Sequence, residues 1–314
     1  MTIRLRRRPV PIPLFLCLAV LFIGGGSSPV SAQDTTAAGS ALYADSLTHL
    51  EDWGTYSVDA ANQRIYFGSG NRLLVADVRD PTQPQQLGWQ QLPYLVRDVQ
   101  VDGNHVYVAN DAGGMRILRR VGTAEFTEVA AVSFGDRVDA LALQNGYAYV
   151  AARSDGLHIL DVSSPDAPKK VGHYKTDDQA AGVAVSGDYA HVAATYGGHR
   201  IIDISDPTAP KEAGFAIRGS YDQGYSWDVA VQDTFAFVAN VEIGLRQVNI
   251  ARPEERAPTV NILQTVHYTN DNKYRSEILS RPSAVEIARS YAFVADQNEG
   301  LRVVDLSDPD TLRI

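Results

Sequence analysis

Cysteine is nearly absent: Cys17 is the only one in 314 residues, and it lies inside an N-terminal apolar run. A lone thiol excludes an internal disulfide, and at that position it supplies no thiolate for catalysis or for a metal. Positive charge is also scarce, with 28 Lys and Arg against 37 Asp and Glu. An acidic surface repels phosphate backbones, so nucleic acid is excluded as a partner. The one long apolar run, Ile12 to Ile23, is shorter than the roughly 20 residues that a membrane helix needs. No segment of real length carries a 3.6-residue helical period. There is no His-x-x-x-His pair and no Gly-x-Ser-x-Gly elbow, so neither a helical zinc site nor a serine nucleophile is visible.

What the chain does have begins with its first 32 residues. Arg4, Arg6, Arg7 and Arg8 precede the apolar run, and a small-residue close follows with Val30 and Ala32 where a signal peptidase reads. This pattern predicts a secretory signal over residues 1–32, cleaved before Gln33, and a mature chain in the periplasm or outside the cell. A lipoprotein would need small residues before Cys17, where Phe15 and Leu16 stand. Removing the signal takes four of the 28 basic residues and no acids, which leaves 24 against 37, a net charge of −13. Residues 33–40, "QDTTAAGS", are expected to be a flexible lead-in to a single domain over 41–314. With no disulfide, that domain must rest on its core, and its length is sufficient for one.

The domain repeats itself. A strand pattern ending in a small residue recurs at Gly68, Ala109, Ala151, Ala193, Ala239 and Ala295, at spacings of 41, 42, 42, 46 and 56. Five residues later stands Gly114, Gly156, Gly198, Gly244 or Gly300, as a tight turn with φ > 0 requires; the first unit is one residue shorter and uses Gly70 and Asn71. Ten residues after the mark comes Asp161, Asp203, Asn249 or Asp305, with Asp77 nine after its own. Each unit reads as four short strands: an alternating one ("DVAV"), an aromatic one ("YAYVA"), an unbroken apolar one ("LHILDV"), and one after a "DPTAP" turn. Helix-free units of this length predict an all-β fold, a six-bladed β-propeller with one unit per blade.

The stretches "GLHILDVSSPDAPKKVG", "GGHRIIDISDPTAPKEAG" and "GLRVVDLSDP" resemble the LVIVD repeat of bacterial secreted and surface proteins. The resemblance spans residues 53–314 and is weakest in unit two, where "MRILRRVGTAEF" puts Arg119 at the aspartate position. It implies a propeller in an extracytoplasmic setting and carries no reaction and no catalytic residues. "YADSLTHL", residues 43–50, stands at the spacing of a fourth strand before unit one. It is expected to complete the sixth blade and so remove its open edge. A longer parent chain would allow a seventh blade.

The repeated aspartates invite a functional reading, yet Asp before x-Ser-x-Pro is expected to bond the amides of its own turn. More informative are Asp98 and Asp228, which open inner strands, and two insertions that account for the longer spacings. "RGSYDQGYSWD" and "HYTNDNKYRSEILSRP" both fall in loops entering an inner strand, so they should neighbour each other. They bring Tyr221, Asp222, Tyr225 and Trp227 together with His267, Tyr268, Asn270, Asp271, Tyr274 and Arg275 as a candidate ligand-binding face. Long loops on a rigid scaffold concentrate binding, and aromatic, Arg and Asn side chains suit a protein or carbohydrate partner. The leading expectation is therefore a monomeric, secreted interaction module without cofactor. The alternative is a calcium-dependent hydrolase or lactonase with Asp98, Asp228 and Asp271 holding the metal at the channel mouth, a reading by fold analogy.

Overall fold

The computed structural model describes residues 57–80, 83–216, 225–241, 244–252, 259–263, 266–268, 274–276, 282–296 and 300–308. Blade 1 comprises β1 (Val58–Ala61), β2 (Arg64–Ser69), β3 (Arg72–Asp77) and β4 (Gln85–Gln91). Blade 2 comprises β5 (Asp98–Asp102), β6 (His105–Ala109), β7 (Met115–Arg120) and β8 (Phe126–Val132). Blade 3 follows with β9 (Ala140–Gln144), β10 (Tyr147–Ala151), β11 (Leu157–Asp161) and β12 (Lys169–Tyr174). Blade 4 has β13 (Gly182–Ser186), β14 (Tyr189–Ala193), β15 (His199–Asp203) and β16 (Lys211–Ala216). Blade 5 has β17 (Ser226–Gln232), β18 (Phe235–Asn240), β19 (Gly244–Asn249) and β20 (Thr259–Leu263). A two-stranded hairpin, β21 (Val266–Tyr268) and β22 (Tyr274–Ser276), precedes blade 6, which pairs β23 (Pro282–Ala288), β24 (Tyr291–Asp296) and β25 (Gly300–Asp305).

Every blade is an antiparallel meander in chain order, so the chain forms the six-bladed propeller that its repeats predict. Among the described residues the sixth blade has three strands, and Tyr43 to Leu50, its expected fourth, lies outside them, as do the signal segment and residues 33–40. The described residues contain no helix long and apolar enough to cross a membrane.

The strand patterns account for where the core sits. The second and third strands are buried on both faces, as in β10 and β11, because each lies mid-blade between two neighbouring blades. The apolar clusters accordingly form between blades: Met115, Ile117, Leu141 and Val150 join blades 2 and 3, and Ile159, Val183, Val192 and Ile202 join blades 3 and 4. The outer strand is half-exposed, and the ladder to the third strand carries a bulge at the same place in blades 1 to 5, for example between Ile159 and Leu160.

The repeated aspartate serves its turn, as expected. Asp161 Oδ1 accepts from Ser163 N at 2.9 Å and Ser163 Oγ at 2.6 Å, and Asp203 does the same with Ser205. Asp77, Asn249 and Asp305 likewise accept from the amide two residues on. Blade 2, lacking this aspartate, closes its turn through the backbone instead, with Val121 N donating to Glu125 O at 2.9 Å. The turn also has a packing role. A Cβ on Gly172 in β12 would lie 2.0 Å from Pro207 O, so the "DPTAP" turn of blade 4 rests directly on the outer strand of blade 3.

Candidate functional site at the channel mouth

Loops entering the inner strand and loops joining the second strand to the third lie at one end of the ring. There they are stitched together across blade junctions by single bridges: Asp111 with Val138, Arg153 with Ala180 and Thr195 with Ser226. The three bridging residues on the outgoing side have φ of 49°, 46° and 35°. Non-glycine residues pay a steric cost there, which the bridge bonds, such as Val138 N to Asp111 O at 3.0 Å, offset. The residue after each bridge partner (Asp139, Ala181 and Trp227) stands at the entry to an inner strand, and these positions form a collar, with Arg97 at the same place in blade 2.

The collar is a polar network with one aromatic ring. Asp139 takes Arg153 Nε at 2.5 Å and Arg137 Nε at 3.2 Å, Arg153 donates to Gln179 at 2.7 Å, and Arg97 pairs with Asp111 at 2.6 Å. Trp227 is skipped in the ladder between Ser226 and Asp228, so it is a bulge residue whose side chain is re-aimed. It remains 37% exposed, with the Arg153 guanidinium 5.3 Å from its ring centre. Tyr225 leans on Tyr196 at 4.3 Å between ring centres. At the same end, buried Asn110 donates to the carbonyls of Tyr94 and Leu95 and holds up a loop whose two side chains are exposed.

Of the residues expected to bind ligand, Tyr225 and Trp227 therefore reach this end, and Trp227 is presented to solvent. His267, Tyr268, Tyr274 and Arg275 belong to the β21–β22 hairpin, whose register sets Tyr268 opposite Tyr274 and His267 opposite Arg275. The spacing read as a loop is thus partly a hairpin. Tyr221, Asp222, Asn270 and Asp271 lie outside the described residues.

Asp98 opens β5 as expected, Asp228 is the third residue of β17 just past its bulge, and both are engaged by backbone. Asp98 Oδ1 accepts from Ser57 Oγ at 2.5 Å and Val99 N at 2.8 Å, and its Oδ2 accepts from Leu141 N of blade 3 at 2.8 Å. Asp228 accepts from its neighbour Val229 N and, at 2.9 Å, from Val285 N of blade 6. Asp59 repeats the device with Val101 N of blade 2 at 2.6 Å. An inner strand is an edge with amides facing the channel, and a carboxylate from the preceding blade satisfies one of them.

These aspartates and Glu286 sense one another across the channel. Burial pushes Asp98 up to about 6, with the Asp59 charge adding to it, and pushes Asp228 up to about 7, with Asp98 adding. Glu286 touches water in the channel yet is walled by protein; that burial, then Asp228, raises it to about 7. Asp59 is raised for the same first reason. Sequence reasoning missed Asp59 and Glu286, which occupy the third inner-strand position in blades 1 and 6; aligning the units would have exposed that match. It also missed Arg153, which meets Asp139 only through the loop bridges.

Among the described residues, the one group of three metal-capable side chains close together is elsewhere: Asp155, His158 and His173, on the blade 3 ladder. Asp98 and Asp228 have no third such donor beside them among the described residues.

The LVIVD repeat model matches residues 95–118, 136–176, 178–216, 223–253 and 283–313, more than half of the chain. The chain belongs to the LVIVD repeat family. Its matched segments fall within blades 2 to 6, and the one in blade 2 ends at residue 118, just before Arg119. No curated protein matches it. Among solved structures it is similar to U3-55K at a TM-score of 0.65 and 10% identity, over 83% of this chain and 80% of that one. Sqt1 of Saccharomyces cerevisiae follows at 0.58 and 9%, over 83% and 84%. The computationally designed Ika8 protein aligns at 0.57 and 12%, over 80% and 70%. At such identities the likeness shows the propeller fold alone.

Proposed function

We propose that this LVIVD-repeat propeller is an extracytoplasmic interaction module that binds a protein or a glycan with the end carrying the collar and the two insertions. The observation that supports this most is Trp227, bulged out of its ladder and left in solvent beside a cation held by Asp139 and Gln179. An exposed indole on a rigid, ion-paired base is the kind of anchor from which interfaces draw most of their energy. The basic start and small-residue close of residues 1–32 support export. The test compares the parent chain with Tyr225→Ala, Trp227→Ala and Tyr274→Ala on a glycan array and on envelope proteins. A ligand held by the parent and lost by Trp227→Ala, by about 2 kcal/mol or more, supports this end as the binding face. Retention of every ligand by all three variants would sink it.

The convergence of Asp59, Asp98, Asp228 and Glu286 on the channel favours one second reading, a calcium ion at the mouth with hydrolase or lactonase chemistry. Its weakness is that Asp98 and Asp228 already accept two or three hydrogen bonds each. Melting in calcium and in chelator decides it: equal midpoints leave this reading without support.

A further inference from the structure

Blade 3 departs from the pattern of its own array at three positions, and the three side chains meet. Four residues after the small residue that ends the second strand, blades 2 and 4 have Gly113 and Gly197, whereas blade 3 has Asp155. Seven residues after it, blades 2, 4, 5 and 6 have Arg116, Arg200, Arg246 and Arg302, whereas blade 3 has His158. Across the outer ladder that position faces Ala131, Phe215 and Ile262 in blades 2, 4 and 5, but His173 in blade 3. In blades 2 and 4 the arginine has an acid on the outer strand: Arg116 meets Glu128 at 2.6 Å and Arg200 meets Glu212 at 3.3 Å. Blade 3 carries Lys170 at the corresponding ladder position, so the whole Arg–Glu arrangement is replaced.

The replacement is a compact donor set. His158 and His173 are a directly opposed cross-strand pair with rings stacked at 4.3 Å and 20°. Asp155 Oδ2 lies 2.7 Å from His158 Nε2, and His173 Nε2 lies 2.6 Å from the Asp155 carbonyl oxygen. One donor atom from each residue falls within 4.8 Å of the other two. Gly135 N, from the loop entering blade 3, donates to the same Asp155 oxygen at 2.8 Å and fixes the carboxylate. Gly156, at φ +83°, lets the turn press against the end of β12, where a Cβ would meet Tyr174 O at 2.4 Å. Phe134 covers His158 at 4.9 Å, while His173 faces solvent.

We propose that Asp155, His158 and His173 bind a divalent transition-metal ion of the zinc class at the junction of blades 2 and 3. Two imidazoles and a carboxylate suit such an ion and not calcium, which takes oxygen donors alone. Zinc bonds of about 2.0–2.2 Å put tetrahedral donors roughly 3.3 Å apart, so the Asp155–His158 contact opens by only about 0.6 Å. His173 exchanges its carbonyl partner for the metal. The metal takes the place of the proton between His158 Nε2 and Asp155 Oδ2. Three protein donors leave a position open to water or to a donor from a bound partner.

The test is calorimetric titration of the full chain with zinc, together with visible absorption of the cobalt complex. Two variants accompany it: His173→Ala, and the triple Asp155→Gly, His158→Arg, Lys170→Glu, which restores the pattern of blades 2 and 4. Expected are one zinc per parent chain and cobalt bands of a low-symmetry nitrogen and oxygen site. His173→Ala should weaken binding by more than about 10-fold. The triple variant should melt like the metal-free parent and bind no zinc. Zinc should raise the melting temperature of the parent alone. No stoichiometric zinc in the parent, or equal affinity in His173→Ala, overturns the proposal, and neither readout depends on a partner at Trp227.

Discussion

At Gly172 there is no space for a methyl group, because the Pro207 carbonyl of the next blade occupies it. Gly172→Ala must therefore push two blades apart or distort a turn, and it is expected to cost about 1–3 kcal/mol, read as a lower urea midpoint with an unchanged slope. The "DPTAP" stretch was legible as a turn, but its contact with the neighbouring blade was not, since spacing within one unit says nothing about what the next unit presses on it. The same limit hid the Asp155, His158 and His173 group. His158 and His173 stand 15 residues apart, and only the bulge between Ile159 and Leu160 brings them into register. Trp227 was singled out by residue type and loop length, and its bulge then supplied the exposure.

The inner strands combine latches and charges, and the two parts respond oppositely to mutation. Asp98, Asp228 and Glu286 have folded values of about 6, 7 and 7, above the ordinary carboxylate range, so the folded protein keeps protons that the unfolded chain has released. Their contribution is fully present below about pH 4 and is lost as pH rises through about 6 to 7. Over that window thermal stability should fall. Glu286→Gln removes one of the mutually repelling charges. After screening by channel water this is worth roughly 0.5–1 kcal/mol, or about 1–3 °C at pH 8, with no gain at pH 4. Differential scanning calorimetry at both pH values checks it, and a gain at pH 4 as large as at pH 8 would remove charge as the cause. Asp98→Ala should act in the other direction at pH 8. It leaves Leu141 N without its acceptor and should lose about 1–3 kcal/mol in urea denaturation.

For the ring as a whole, four strands per unit and six units were readable from recurrence, because each blade must alternate buried and half-buried strands to pack between two others. The closing strand is a matter of sequence spacing alone, and it makes a sharp expectation. Deleting residues 33–51 should bare the outer edge of β25, lower the melting temperature severely and promote association, whereas deleting 33–40 should be nearly silent. Size-exclusion chromatography and melting curves compare the two; a monomeric long deletion that melts like the parent would refute closure by Tyr43 to Leu50. The carboxylate latches carry one more consequence. Val101 N, Leu141 N and Val285 N are each held by a carboxylate from the preceding blade. Those three amides can trade their hydrogens for deuterium only when two blades separate at the channel, so their exchange clocks time the breathing of three joints of the wheel, one by one.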